Sequence, residues 1–324
     1  MKTRMAEFFV RDALAAANAR VLALALAGVV VLAGCQNPDG PADGDGNENN
    51  TDTTAPVLSS GSVNMTSEDG TTVTVTFTSN KAGTYYMVLY PSTAQAPAKG
   101  EDVETAYNGG VTGNTKASAT GGAEANTAVT ININGLTAYT AYKAHITVKD
   151  PEDKYSSVYT PAAYYSPAGR LIFYISTSGF SSGGGTCHYL EAAPADIEGS
   201  HKWGGDGTSC STETGIGAGA ANTTALAEHS HGTVSESDLH EAARACADYS
   251  DGGDDDWFLP SKDELNQMYT NLKVQGLGGF SSFYWSSSQK DDDENNAWHQ
   301  QFGDGIQYPF DKKSPRSVRA VRAF

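Results

Sequence analysis

Cysteine is scarce, with four in 324 residues. That excludes a small disulfide-stapled scaffold, in which crosslinks substitute for a core. Positive charge is also short: 21 Lys and Arg stand against 38 Asp and Glu, for a net charge of −17 and a pI near 4.7. Such a chain repels nucleic acid and anionic headgroups, so no nucleic-acid partner is expected and polyanion binding would need a local basic patch. No apolar run reaches the roughly 20 residues that a membrane-spanning helix requires. Catalytic signatures are missing too: there is no nucleophile elbow, no HExxH helix and no phosphate loop, and the expectation is a protein that is not an enzyme.

What is present begins with an export signal. Lys2, Arg4, Arg11 and Arg20 precede an apolar run of 12 residues, Val21 to Leu32, that ends in Leu32-Ala33-Gly34-Cys35. A basic head, a short apolar stretch and small residues before a cleavage point read as a signal peptide, residues 1–34. The last four positions resemble a bacterial lipobox. The resemblance implies that Cys35 becomes the acylated N-terminus and anchors the protein to a membrane, with a cell-envelope location. Gln36 stands where Asp would imply inner-membrane retention, which implies the outer membrane and a candidate surface exposure. Residues 35–55 then form a flexible, lipid-anchored linker of Asn, Asp, Gly, Pro, Thr and Glu. Random-coil scaling gives it a reach of roughly 25 Å.

From 56 to 165 the hydrophobic period is two. Thr71 to Thr78 places Val73, Val75 and Phe77 on one face, Thr127 to Asn134 does the same with Val129, Ile131 and Ile133, and Tyr142 to Lys149 with Tyr142, Ala144, Ile146 and Val148. Gly83 to Tyr90 is apolar almost throughout and suits a central strand, with Pro56 to Met65 and Lys154 to Thr160 as outer ones. Two packed sheets follow. Leu136 to Tyr142 (LTAYTAY) resembles the tyrosine corner of fibronectin type III and immunoglobulin-like sandwiches, with Tyr142 as the tyrosine whose hydroxyl meets upstream backbone. In that family the sandwich commonly serves as a spacer.

Residues 169–324 have a different texture, rich in Gly, Ser, Trp and Asp. Ser237 to Tyr249 reads as a helix capped by Ser237, with Leu239, Ala242, Ala243 and Cys246 on its buried face. Ser261 and Glu264 form a capping box that opens a second helix over Leu265, Met268, Tyr269 and Leu272, ended by Gly276.

In order along this segment stand Cys187-His188-Tyr189-Leu190-Glu191-Ala192-Ala193-Pro194, Asp256-Trp257-Phe258-Leu259-Pro260-Ser261, Tyr284-Trp285-Ser286-Ser287-Ser288, Ala297-Trp298 and Val318 to Phe324. Together they resemble the domain family named after the C-terminal domain of the Legionella collagen-like adhesin, which is similar in fold to C-type lectins and to formylglycine-generating enzymes. The resemblance implies an α+β C-type-lectin-like domain used for binding. The expected whole is multidomain: an all-β immunoglobulin/fibronectin III-like sandwich followed by that domain. Formylglycine generation needs cysteines near the C-terminal end, and none follows Cys246.

The candidate sites each have a bland counterpart. Trp257, Trp285 and Trp298 are either core or sugar-stacking platforms. Trp298, with Asn295, Asn296, Gln300 and Asp304 nearby in sequence, is the candidate glycan or protein ligand site. Asp251 to Asp256 and Asp291 to Asn296 are oxygen-rich loops, so Asp254, Asp256, Asp291 and Asp293 are candidate Ca²⁺ ligands, although neither loop has EF-hand spacing and both also read as solvated loops. His229, His231 and His240 could face a zinc ion but lack a well-spaced partner. Lys312, Lys313 and Arg316, continued by Arg319 and Arg322, are a candidate polyanion patch. With Cys35 assigned to lipid, Cys187 and Cys210, which flank a Gly-rich loop around Trp203, are the expected disulfide, leaving Cys246 buried; spacing alone does not dictate this connectivity. Two functions remain, a surface adhesin or glycan/protein-binding lipoprotein and a structural envelope lipoprotein without carbohydrate binding.

Overall fold

The computed structural model describes residues 52–205, 207–228 and 240–324. The expected signal peptide, Cys35 and most of the linker lie outside the described residues, as do His229, His231, Ser237 and Leu239. Thr53–Phe324 forms one compact unit. None of the described helices is long and apolar enough to cross a membrane.

Seven strands build the first half: β1 (Leu58–Met65), β2 (Val73–Ser79), β3 (Gly83–Pro91), β4 (Ala117–Ala123), β5 (Ala128–Ile133), β6 (Tyr142–Lys149) and β7 (Ala163–Tyr165). They form two sheets, ordered β5-β2-β1-β7 and β4-β3-β6. Strict alternation explains the first: Val73, Val75 and Phe77 of β2 are buried, and the register sets Val75 beside Val63 of β1 and Ile131 of β5. Across the core they meet Tyr85, Met87 and Leu89 of β3 and Ala144, Ile146 and Val148 of β6. β3 is apolar on both faces because a helix covers its back. In α1 (Gly100–Asn108), Val103 packs on Val88 and Tyr90. Gly100 starts that helix where a Cβ would lie 2.6 Å from Thr147 Oγ1, so only glycine admits so close an approach. The Tyr142 hydroxyl accepts a hydrogen bond from the Thr137 amide at 3.2 Å, the corner geometry expected.

Two expectations need correction. Residues 154–160 make only isolated bridges, Tyr155 with Lys149 and Tyr159 with Ile146, because that segment lies over α1 and along β6 irregularly. The edge strand is instead β7, parallel to β1, which is therefore interior rather than outer.

A turn from Ser166 to Arg170 leads directly into the second half. There β8 (Ile172–Ser182) and β9 (Gly185–Ala192) form a hairpin, and β13 (Val321–Ala323), at the far end of the sequence, pairs with β9. A second sheet is β10 (Phe283–Gln289), β11 (Asn296–Gln301) and β12 (Gln307–Asp311). Between the sheets lie α2 (Ala218–Glu228), α3 (Glu241–Ala247) and α4 (Lys262–Met268), the last continuing through a wider turn, Tyr269–Lys273. Sequence periodicity did not reveal α2, whose small residues carry no amphipathic stripe. α3 is shorter than expected and its N-cap is His240, while Ala242, Ala243 and Cys246 do face inward. The α4 capping box is present: Ser261 Oγ accepts from Glu264 N, and Glu264 accepts from Ser261 N and Gly217 N.

Two aromatic-rich cores fill this half. One gathers Trp203, Leu226, Cys246, Trp257, Leu259 and Trp285; the other Phe173, Phe258, Met268, Phe280, Tyr284 and Phe302. Full burial of each such side chain contributes on the order of 2–3 kcal/mol. The sandwich core also takes in Ile172, Tyr189 and Phe324 from beyond residue 165, so the two halves share a packed boundary.

Candidate functional site

β11 divides the candidate residues between two faces, since successive side chains point opposite ways. Asn296, Trp298 and Gln300 lie on one. Trp298 is half-buried, with Lys262 Nζ 3.6 Å from its ring centroid, so a cation already occupies the indole face. Gln300 is fully buried; its Nε2 donates to Asn266 Oδ1 at 2.9 Å and Gly305 O at 3.0 Å, which makes it an internal strut and corrects its assignment as a ligand contact. Asn296 Nδ2 and Asn295 N both donate to Asp293, closing a turn, and exposed Asp304 accepts from Ile306 N at 3.0 Å in the β11–β12 turn. The expected Trp298 cluster is thus mostly engaged in holding the sheet.

The other face of the same sheet is aromatic. The register aligns Trp285, His299 and Tyr308, with Phe310 opposite Ala297 and Phe283 opposite Gln301. Phe283, Tyr308 and Phe310 are half-buried around a His299 ring that is 1% exposed. His299 stacks on Phe310 at 5.0 Å and on Phe283 at 5.7 Å, and meets Tyr308 edge-on at 4.3 Å. Arg316 lies over both phenyl rings, 4.2 Å from Phe310 and 5.3 Å from Phe283. Its Nε donates to His299 Nδ1 at 3.3 Å, so the imidazole proton sits on Nε2, a buried atom without a hydrogen-bond partner. Burial, with the Arg316 charge beside it, pushes the His299 pKa down to about 4. Adjoining this face is a hollow of about 350 Å³ that shares Phe283 and Gln301 and is also lined by Lys273, Ser281 and Ser282. The surface therefore offers flat apolar rings, one guanidinium lying over two of them, and small hydroxyl groups. The alternation of Tyr308 and Phe310 was the sequence signal for it, weakened by the proline between them.

A second hollow, about 640 Å³, lies between the sandwich and the β8–α4 region, lined by Tyr142, Lys143, Tyr164, Tyr174, Gln267 and Asn271 among others.

The remaining candidates have structural partners. Asp254 accepts from Arg170 at 2.5 Å and pairs with Arg322 at 3.3 Å, and Asp256 pairs with Arg322. Arg170 holds the Asp254 carboxyl below the usual carboxylate range. These two calcium candidates thus brace the start of the domain to its last strand. Asp291 is exposed and Asp293 caps the turn already described. Among the described residues no group of three or more His, Cys, Asp or Glu is placed to hold a metal ion. Lys312 is fully buried, its Nζ bonded to Thr208 O at 2.9 Å and Gln289 Oε1 at 2.8 Å, which removes it from the expected polyanion patch; Lys313 is exposed and Arg316 belongs to the aromatic face. Cys187 and Cys210 are both thiols, which corrects the expected disulfide. Cys187 Sγ turns to Ser182 O in the β8–β9 hairpin, whereas Cys210 Sγ faces His240. Trp257 and Trp285 are core residues.

Residues 202–322 match the model of the Lcl C-terminal domain family. The matched span contains the whole β10–β11–β12 sheet, its aromatic face and the arginine-braced acidic loop. No curated protein matches the chain.

Proposed function

We propose that this is a lipid-anchored envelope protein whose Lcl-type C-terminal domain is a non-catalytic binding module for a surface glycan, carried on a fibronectin III-like spacer. The observation that carries the reading is the half-exposed Phe283–Tyr308–Phe310 face with Arg316 laid across it, inside the matched span. Aromatic rings stack on the C–H faces of pyranoses, and ring-plus-arginine surfaces are where binding energy concentrates. The Trp298 face fits less well, because Lys262 covers its one ring at 3.6 Å, whereas Arg316 lies over Phe283 and Phe310 and leaves the Tyr308 ring beside them.

A glycan array with the purified chain, run with calcium and with a chelator, tests this. The expected result is a saturable hit weakened at least about tenfold by Phe310→Ala and little by Trp298→Ala. A blank array would favour the structural envelope reading. Anchoring is tested by palmitate labelling, which Cys35→Ala should abolish.

A further inference from the structure

Cys210 and His240 stand 30 residues apart in sequence, and the fold brings Cys210 Sγ to 3.8 Å from His240 Nε2. The other ring nitrogen, Nδ1, lies 3.2 Å from the Trp203 carbonyl, which can only accept. In the neutral ring Nδ1 therefore carries the proton and Nε2 turns its lone pair toward the thiol. Gly205, at φ +66, lets the loop lie against this imidazole: a Cβ there would be 2.4 Å from His240 Cε1. The ring itself is buried, and Trp203 meets it edge-on at 5.1 Å. Beneath the thiol, Gln289 Oε1 accepts both the Cys210 amide at 2.9 Å and the Lys312 ammonium at 2.8 Å, which places a buried positive charge close to the sulfur. Cys210 is half-buried rather than sealed.

From this arrangement we infer that Cys210 is a base-assisted thiol that exchanges with an exposed disulfide, joining the protein covalently to a disulfide-bearing partner. A nucleophile, a base within reach and a third group that fixes the tautomer are the elements of an activated thiol. In the step, the Cys210 proton passes to His240 Nε2 and the sulfur attacks one sulfur of the incoming disulfide. The new S–S bond forms as the old one breaks, and the departing thiolate takes the proton back from Nε2. One disulfide is consumed and one formed, so no further oxidant is required. Burial raises the Cys210 pKa while Lys312 opposes the rise, so the thiol rests protonated and depends on the imidazole at the moment of attack. Cys187, which feels the charges of Asp256 and Arg322, has no imidazole bonded to its sulfur among the described residues, and Cys246 is fully enclosed, which provides two internal references.

The test is reaction of the full chain with 4,4′-dithiodipyridine, the modified cysteines being located by peptide mass. Cys210 is expected to react at least about tenfold faster than Cys187, with Cys246 silent, and His240→Asn to slow it about 100-fold. Should that variant misfold, the wild-type pH profile decides. An imidazole-assisted thiol gives a rate level between about pH 7.5 and 9 that falls below about pH 6.5, whereas an unassisted thiol rises about tenfold per unit across that range. Equal rates at Cys210 and Cys187, or the steady tenfold rise, overturns the inference.

Discussion

The ring of Tyr139 lies flat on the imidazole of His188, with centroids 3.6 Å apart and planes 12° from parallel. Tyr139 belongs to the corner loop of the sandwich and His188 to β9 of the second half, so the stack crosses their boundary. The Asp69 carbonyl is shared beneath it, accepting from the Tyr139 amide at 2.8 Å and the Tyr189 hydroxyl at 3.1 Å. Tyr139→Ala removes the stack and is expected to cost about 1–2 kcal/mol. Calorimetry is expected to find one thermal transition in the wild type and two in the variant; a single unshifted transition in the variant would refute the coupling.

Glu264 is buried, and that burial pushes its pKa from 4.5 up to about 7 against the pull of its amide donors. Between those values the folded chain holds a proton that the unfolded chain has lost. Stability should therefore fall as pH rises from about 4.5 to about 7, by up to about 3 kcal/mol from this group. Urea titrations across that range should find the slope reduced in Glu264→Gln.

His299 works in the opposite sense. Its folded pKa of about 4 lies below the ordinary histidine value of 6.5, so between them the unfolded chain holds the extra proton. Stability should drop as pH falls from about 6.5 to about 4, by up to about 3 kcal/mol, and His299→Phe should remove that part of the slope in acid unfolding curves.

Arg170 carries a buried network, bonded to Glu191 at 3.0 Å and Asp251 at 2.7 Å as well as to Asp254. Glu191 is fully buried and its Oε2 has no hydrogen-bond partner. Arg170→Ala would leave that carboxylate only its longer contact with Arg322, at 3.3 Å, and is expected to cost about 3 kcal/mol by chemical denaturation. A loss below about 1 kcal/mol would mean that water replaces the guanidinium.

How far the sequence could be read depended on how local the physics was. β2, β5 and β6 were legible from alternation, and the α4 cap from Ser261 and Glu264, because pleat and capping act within a few residues. α1 was not legible, because its reason to exist is the back of β3, reached across the chain. Nor was β7, three residues long and defined by its partner β1. At the candidate site, Trp298 and Phe310 are both aromatics on adjacent strands, and nothing in their spacing says that Lys262 covers one while Arg316 lies across the other.

By itself, then, the sequence determined the acidic balance, the two-texture organisation, the strand faces and the helix cap, all set by composition and near-neighbour geometry. The tertiary structure alone decided which face of β11 stays half-open, that Lys312 is internal, and that Cys210 meets His240 rather than Cys187. Each of these depends on contacts between residues far apart in sequence, whose cost in chain entropy only the packed core can repay.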